Sequence, residues 1–129
     1  MIRRKEKGSK AERELVTMFW NAGWAAIRVA GSGLTKKPNP DVIAGNGVRR
    51  IAVECKTTKQ IRKYLTREDV NQLIEFSRKF GAEPWFGIRI NNMKWYFIGV
   101  EELEQTEKGY VITIPLLKRR GLLFEQLIK

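Results

Sequence analysis

An α/β (α+β) domain, with a mixed sheet flanked by helices, is the fold class predicted here. Two observations predict it: helical and strand-like segments alternate along the chain, and an Asn-Gly pair joins two β-prone runs. A third is bulk composition. At 43% hydrophobic over 129 residues, the chain has the make-up of one globular domain, residues 1–129.

The elements follow in order. Over residues 9–22, Ser9 and Glu12 stand at capping-box spacing, and Ala11, Leu15, Met18, Phe19 and Ala22 form a stripe of helical period that Gly23 is placed to end. Trp24 to Ala30 is a short β-prone run carrying Arg28. Segment 31–40 holds Gly31, Gly33, Pro38 and Pro40 with Lys36 and Lys37, the make-up of an exposed, mobile loop. Residues 41–44 and 48–56 are predicted strands joined at Gly45, Asn46 and Gly47, because Asn-Gly supplies the positive φ values of a tight hairpin. Residues 57–65, with Lys59, Arg62, Lys63 and Tyr64, have the polarity of a connector. Thr66 opens a second helix with Asp69 at the capping-box position, Val70, Leu73, Ile74, Ser77 and Phe80 on one face, and Gly81 as its stop. Strands over 84–90 and 94–100 around an Asn91–Asn92 turn, a strand from Tyr110 to Ile114 and a terminal helix from about Leu122 complete the order.

Charge and missing residue types narrow the function. Lys and Arg number 25 against 14 Asp and Glu, a net charge of +11. That surplus favours a polyanionic partner, nucleic acid first. An anionic membrane surface ranks second, since the basic residues are spread through folded segments and not along one amphipathic helix. The ion-pair-rich surface of a thermophile would carry matching acids, which fall short here. The single cysteine, Cys55, excludes an internal disulfide and an all-Cys zinc site. The absence of His removes Ser-His and Cys-His nucleophilic chemistry. No apolar run approaches ~20 residues, and the basic start, Met1 to Gly8, lacks the apolar core of a signal peptide. An intracellular, cytoplasmic protein with no membrane partner is therefore expected. Its chemistry must rest on carboxylates, lysine, hydroxyls or a hard metal ion.

The sharpest pattern is Pro40 and Asp41, twelve intervening residues, then Glu54, Cys55 and Lys56. With Asn46-Gly47 as a two-residue loop, Gly45 pairs with Val48 and Asp41 comes opposite Ala52. Strand alternation then places Asp41, Glu54 and Lys56 on one face, with Asp41 and Glu54 diagonal neighbours roughly 7–8 Å apart. A one-residue slip would dissolve the set. Two converging carboxylates repel, so without a cation one should stay protonated. A hard divalent ion resolves the conflict, and all-oxygen ligands select Mg²⁺ or Mn²⁺. Such an ion activates water and offsets charge on a scissile phosphate, while Lys56 orients the water or stabilises the transition state. Cys55 points to the opposite face and packs in the core, which leaves only its backbone carbonyl within reach of the ion. Taken singly, Asp41 reads as a strand-entry residue, and Glu54 and Lys56 as exposed strand residues. All three in one register, flanked by Ile51 and Val53, favour a site.

These residues resemble a known family. Pro-Asp followed by Glu-x-Lys is the signature of the restriction-endonuclease-like nuclease fold, a central mixed five-stranded β-sheet flanked by helices. Combined with Gly8, Ser9, Ala11, Glu12 and Arg13 in the first helix, Arg28, the Ala30, Gly31 and Ser32 run, and Ile74, Glu75 and Phe76, it resembles the archaeal Holliday junction resolvases over about residues 8–104. The resemblance implies a homodimer that cuts four-way junction DNA symmetrically, with Mg²⁺ as cofactor, Mn²⁺ as substitute, and no small-molecule substrate. It implies Asp41, Glu54 and Glu12 as metal ligands, Lys56 as the catalytic lysine and Ser32 as a hydroxyl near the scissile phosphate. Arg13 and Arg28 would contact DNA.

Other readings stand beside these. Glu12 is also the acceptor half of a Ser9 capping box, though Leu15, Val16 and Phe19 put it at the border of the buried face. Ser32 fits a flexible loop, and Arg28 a strand-edge charge. Lys36 and Lys37, with Arg3 to Lys5, Lys59 to Lys63 and Lys118 to Arg120, are solvated surface individually and phosphate contacts collectively. Phe76, Phe80 and the apolar tail Leu122, Leu123, Phe124, Leu127 and Ile128 are core by default, or a two-fold interface. For the whole chain the alternatives are another nuclease of the same fold, of restriction or repair type, and a non-catalytic basic DNA-binding protein.

Overall fold

The computed structural model describes residues 2–31, 37–60, 62–91 and 94–129, with side chains from Ser9 onward. Helix α1 spans Ile2–Asn21, strand β1 Ala25–Arg28, β2 Val42–Gly45, β3 Arg50–Thr58, β4 Arg62–Thr66 and helix α2 Arg67–Phe80. Then come β5 Glu83–Ile90, β6 Trp95–Gly99, a 3₁₀ turn Val100–Glu102, β7 Glu104–Gln105, β8 Gly109–Thr113, α3 Ile114–Arg120 and α4 Phe124–Leu127.

Helix α1 begins at Ile2, not at Ser9. Residues 3–7 are Arg, Lys and Glu, good helix formers that carry no apolar stripe, so hydrophobic periodicity does not register them. Ser9 is therefore inside the helix and is not its cap. Ala11, Leu15 and Phe19 are buried as the stripe requires, whereas Ala22 lies past the helix end and is exposed. Gly23, at φ 87°, makes the left-handed turn into β1.

The central sheet has five strands in the order β1-β2-β3-β5-β6. Only β3 and β5 are parallel, with β4 and α2 in the crossover between them, so the sheet is mixed as expected. The β2–β3 register differs from the predicted one. Gly45 pairs with Arg50 and Val42 with Val53, because the Asn46 side chain accepts hydrogen bonds from the Val48 and Arg49 amides at 2.9 and 2.7 Å. That Asx turn lengthens the loop to Asn46–Arg49. The register moves by two residues, and an even shift leaves every side chain on its own face.

On one face of the sheet, Ile51, Val53, Val42 and Ala44 pack with Ala11, Leu15 and Phe19 of α1 and with Leu127. On the other, Ala52, Phe86, Ile88 and Ile98 pack with Val70 and Leu73 of α2 and with Leu116 and Leu117 of α3. The tail thus closes the first core: Phe124 stacks edge-on to Phe19 at 5.1 Å, and Leu122 bridges to Phe97. Arg49 fastens it. Its guanidinium pairs twice with Glu83 at 2.8 Å, donates to the Leu127 carbonyl at 2.8 Å and lies 5.5 Å over the Trp24 ring.

A second sheet, in the order β4-β8-β7, was not expected. The predicted connector 57–65 is mostly strand: β3 continues to Thr58, and β4 starts at Arg62. Helix α2 has the predicted Thr66/Asp69 capping box and a left-handed Gly81 stop. Its Ile74 and Phe80, placed on the apolar face, are 37% and 49% exposed. No helix among the described residues is long and apolar enough to cross a membrane.

Candidate functional site

The site forms where β3 outruns its neighbour. The β2–β3 ladder ends at the pair Val42 and Val53, while β3 continues to Thr58. The exposed N–H of Cys55 is taken by a side chain: Asp41 accepts it at Oδ2, at 2.8 Å. Asp41 is itself held by its backbone, which donates to the Val53 carbonyl at 3.1 Å and accepts from the Val29 amide at 2.8 Å. One step beyond the ladder, Asp41 comes opposite Glu54, closer than the diagonal placement predicted. Lys56, two residues on along the strand, shares that face, its Nζ 3.9 Å from Glu54 Oε2. Cys55 points the other way, into the α1 core, and burial pushes its thiol well above the ordinary range.

Electrostatics bear out the conflict expected of this pair. Burial, then the charge of Asp41, raise the Glu54 carboxyl to about 8; Lys56 opposes them, and Asp69 at the start of α2 adds to the rise. At neutral pH in the metal-free protein, Glu54 is thus the protonated partner and hydrogen-bonds to Asp41.

Glu12, on α1, lies near enough to feel the charge of Asp41. Burial and Asp41 raise its pKa, and hydrogen bonding to Arg28 lowers it. Arg28, at the end of β1, donates from Nε to Glu12 Oε1 and from a terminal nitrogen to Ser9 Oγ, both at 2.9 Å. The capping-box reading of Ser9 and Glu12 is thereby replaced. Three residues apart on one helix, they share a face and together grip one guanidinium. Among the described residues, no three Asp, Glu, Cys or His side chains are closed tightly enough to hold a metal ion as they stand, and Glu12 is turned onto Arg28.

The remaining predicted positions are exposed or half-buried on the surface, or lie outside the described residues. Arg13 and Lys37 are exposed. Ser32 and Lys36 lie outside the described residues. Phe76 and Phe80 stack at 5.2 Å on α2, Phe76 half-buried and Phe80 open to solvent. Sequence reasoning missed Asp69 as a charge acting on Glu54, and Ser9 as an anchor for Arg28. The i, i+3 spacing of Ser9 and Glu12 was a signal that both side chains point the same way, and it was assigned to a helix end that is not there.

Comparison with known proteins bears on the family and the fold. The family model described as archaeal Holliday junction resolvase (hjc) matches residues 3–129, tail included. A crossover junction endodeoxyribonuclease Hjc of Archaeoglobus fulgidus is 46% identical over 108 residues, 84% of this chain and 79% of that one. Its namesake in Methanocaldococcus jannaschii is 39% identical over 106 residues, 82% of this chain and 75% of that one. A solved structure of Archaeoglobus fulgidus Hjc, described as a Holliday junction resolvase, superposes with a TM-score of 0.88 at 39% identity, covering 95% of this chain and 100% of that one. That neighbour shares the mixed five-stranded sheet with flanking helices.

Proposed function

This chain belongs to the archaeal Holliday junction resolvase (Hjc) family, and we propose from that premise that it resolves four-way DNA junctions by symmetric, metal-dependent phosphodiester hydrolysis. One observation carries the reading: Asp41, Glu54 and Lys56 converge at the open edge of β3, with the Glu54 pKa raised to about 8 by burial and by Asp41. A protein that only bound DNA would gain nothing from clustered acids facing a polyanion. The charge of +11 supplies the attraction.

The donor set fits a hard divalent cation. It is all oxygen, it contains two carboxylates that cannot both ionise cheaply without added positive charge, and the chain holds no His. Asp41, Glu54 and Glu12 would hold Mg²⁺, or Mn²⁺ in its place. The Cys55 carbonyl would join them, since in an extended strand it faces the same side as the N–H that Asp41 accepts. When bound, the ion supplies activation of water and stabilisation of charge on the scissile phosphate.

The chain's own residues do the rest. Asp41 is fixed by three hydrogen bonds before substrate arrives, so little reorganisation is needed at the moment of reaction. Lys56, partly exposed beside Glu54, donates toward the phosphate or the attacking water. Ser32, nine residues before Asp41 in the sequence, is assigned to the phosphate by resemblance. Arg13, Lys36 and Lys37 hold the DNA backbone, contacts that position a duplex without reading its sequence. Symmetric cutting of two strands calls for a C2 dimer, and exposed Phe80, stacked on Phe76, offers an apolar patch for it.

Four-way, flap and linear duplex substrates should be compared side by side with Mg²⁺. We expect paired nicks in the four-way junction alone; preferential cutting of linear duplex would point to a restriction- or repair-type nuclease and refute the proposal.

A further inference from the structure

We propose that Ser9 is a positioning residue for cleavage, acting through Arg28 on Glu12; the inference rests on the functional reading above. The Arg28 guanidinium spans two side chains of α1. Its Nε–H goes to Glu12 Oε1, and a terminal N–H goes to Ser9 Oγ, each at 2.9 Å.

A guanidinium is planar, and its donors are fixed in a fork, so two contacts on one side set its orientation where one contact leaves it free to swivel. Ser9 therefore decides where Arg28 points. Arg28 in turn decides where the Glu12 carboxylate sits relative to Asp41, whose charge it feels. Arg28 lies on β1, opposite Val42 and next to the residue whose amide binds the Asp41 carbonyl. The Ser9–Arg28–Glu12 chain thus ties the helix-borne acid to the strand that presents Asp41.

Nothing about helix formation calls for a serine at this place. Ser9 is interior to α1, where Ala is the better helix former. Ser9→Ala consequently keeps the fold and removes one hydrogen bond, and Ser9→Thr keeps the hydroxyl.

The test measures single-turnover cleavage of a synthetic four-way junction, junction affinity in Ca²⁺, and the Arg28 Nε–H signal by NMR in the metal-free protein. For Ser9→Ala the expected result is roughly a tenfold loss in cleavage rate at saturating junction, the scale of a small misplacement of a reacting group. Affinity should stay within about twofold, since the lost contact is internal. The Arg28 Nε–H signal should broaden or vanish, and Ser9→Thr should recover both rate and signal. An unchanged rate and signal in Ser9→Ala overturns the proposal. So does a loss confined to affinity, which would make Ser9 a support for DNA binding alone. A wild-type protein that cleaves no junction overturns the functional reading, and this proposal with it. A wild type that cleaves beside an unimpaired Ser9→Ala overturns this proposal only.

Discussion

Replacing Glu54 with Gln should stabilise the metal-free protein, and by an amount that grows with pH. Burial and Asp41 raise this carboxyl from 4.5 to about 8. Between those values the folded protein holds a proton that the unfolded chain has released, so stability falls as pH rises through the window and levels off above 8. Each tenfold in proton affinity is about 1.4 kcal/mol, which puts the ceiling on the cost near ~5 kcal/mol. The side chain is only 25% exposed, so most of that cost is retained. A Gln carries no charge and can still donate a hydrogen bond to Asp41. Urea unfolding with EDTA at pH 5 and pH 9 measures the difference. The variant should come close to the wild type at pH 5 and exceed it by roughly 3–5 kcal/mol at pH 9. A gap that is equal at both pH values, or that shrinks as pH rises, would refute the buried-pair account.

The same proton predicts metal linkage. Below pH 8 a cation bound at Glu54 must displace it, so the Mg²⁺ concentration for half-saturation, read by calorimetry without DNA, should fall about tenfold per pH unit up to 8 and flatten beyond. Arg49→Ala removes the paired bonds to Glu83, the Leu127 carbonyl bond and the Trp24 contact together. It should cost about 2 kcal/mol, a drop in Tm of roughly 6–10 °C, with the cleavage rate at permissive temperature unchanged; a shift below about 2 °C would show that the tail is not fastened there.

The site was legible largely because side-chain alternation forgives even errors. Placing Gly45 against Val48 mistook the Asn46 turn for a two-residue hairpin, yet Asp41, Glu54 and Lys56 still fell on one face because the true register differs by two. A shift of one would have hidden them. Residues 3–7 of α1 were invisible to periodicity, since an all-charged run has no stripe to read. From that came the false cap at Ser9. The second sheet escaped for a related reason: β4 alternates an exposed Tyr64 with a buried Leu65 among basic residues, and β7 has only two residues. Helix α3 carried a signal that went unread, Thr113 as cap with Pro115 in the first turn. Interactions between elements distant in sequence, such as Arg28 with Ser9 or Asp69 acting on Glu54, leave no pattern along the chain and needed coordinates.

The central claim is that the Asp41 and Glu54 carboxylates drive metal-dependent cutting of a junction that other residues bind. Asp41→Ala tests it on one substrate with two readouts, four-way junction cleavage in Mg²⁺ and junction binding in its absence. Cleavage should disappear while affinity is retained; an Asp41→Ala protein that still cut the junction at the wild-type rate would contradict it.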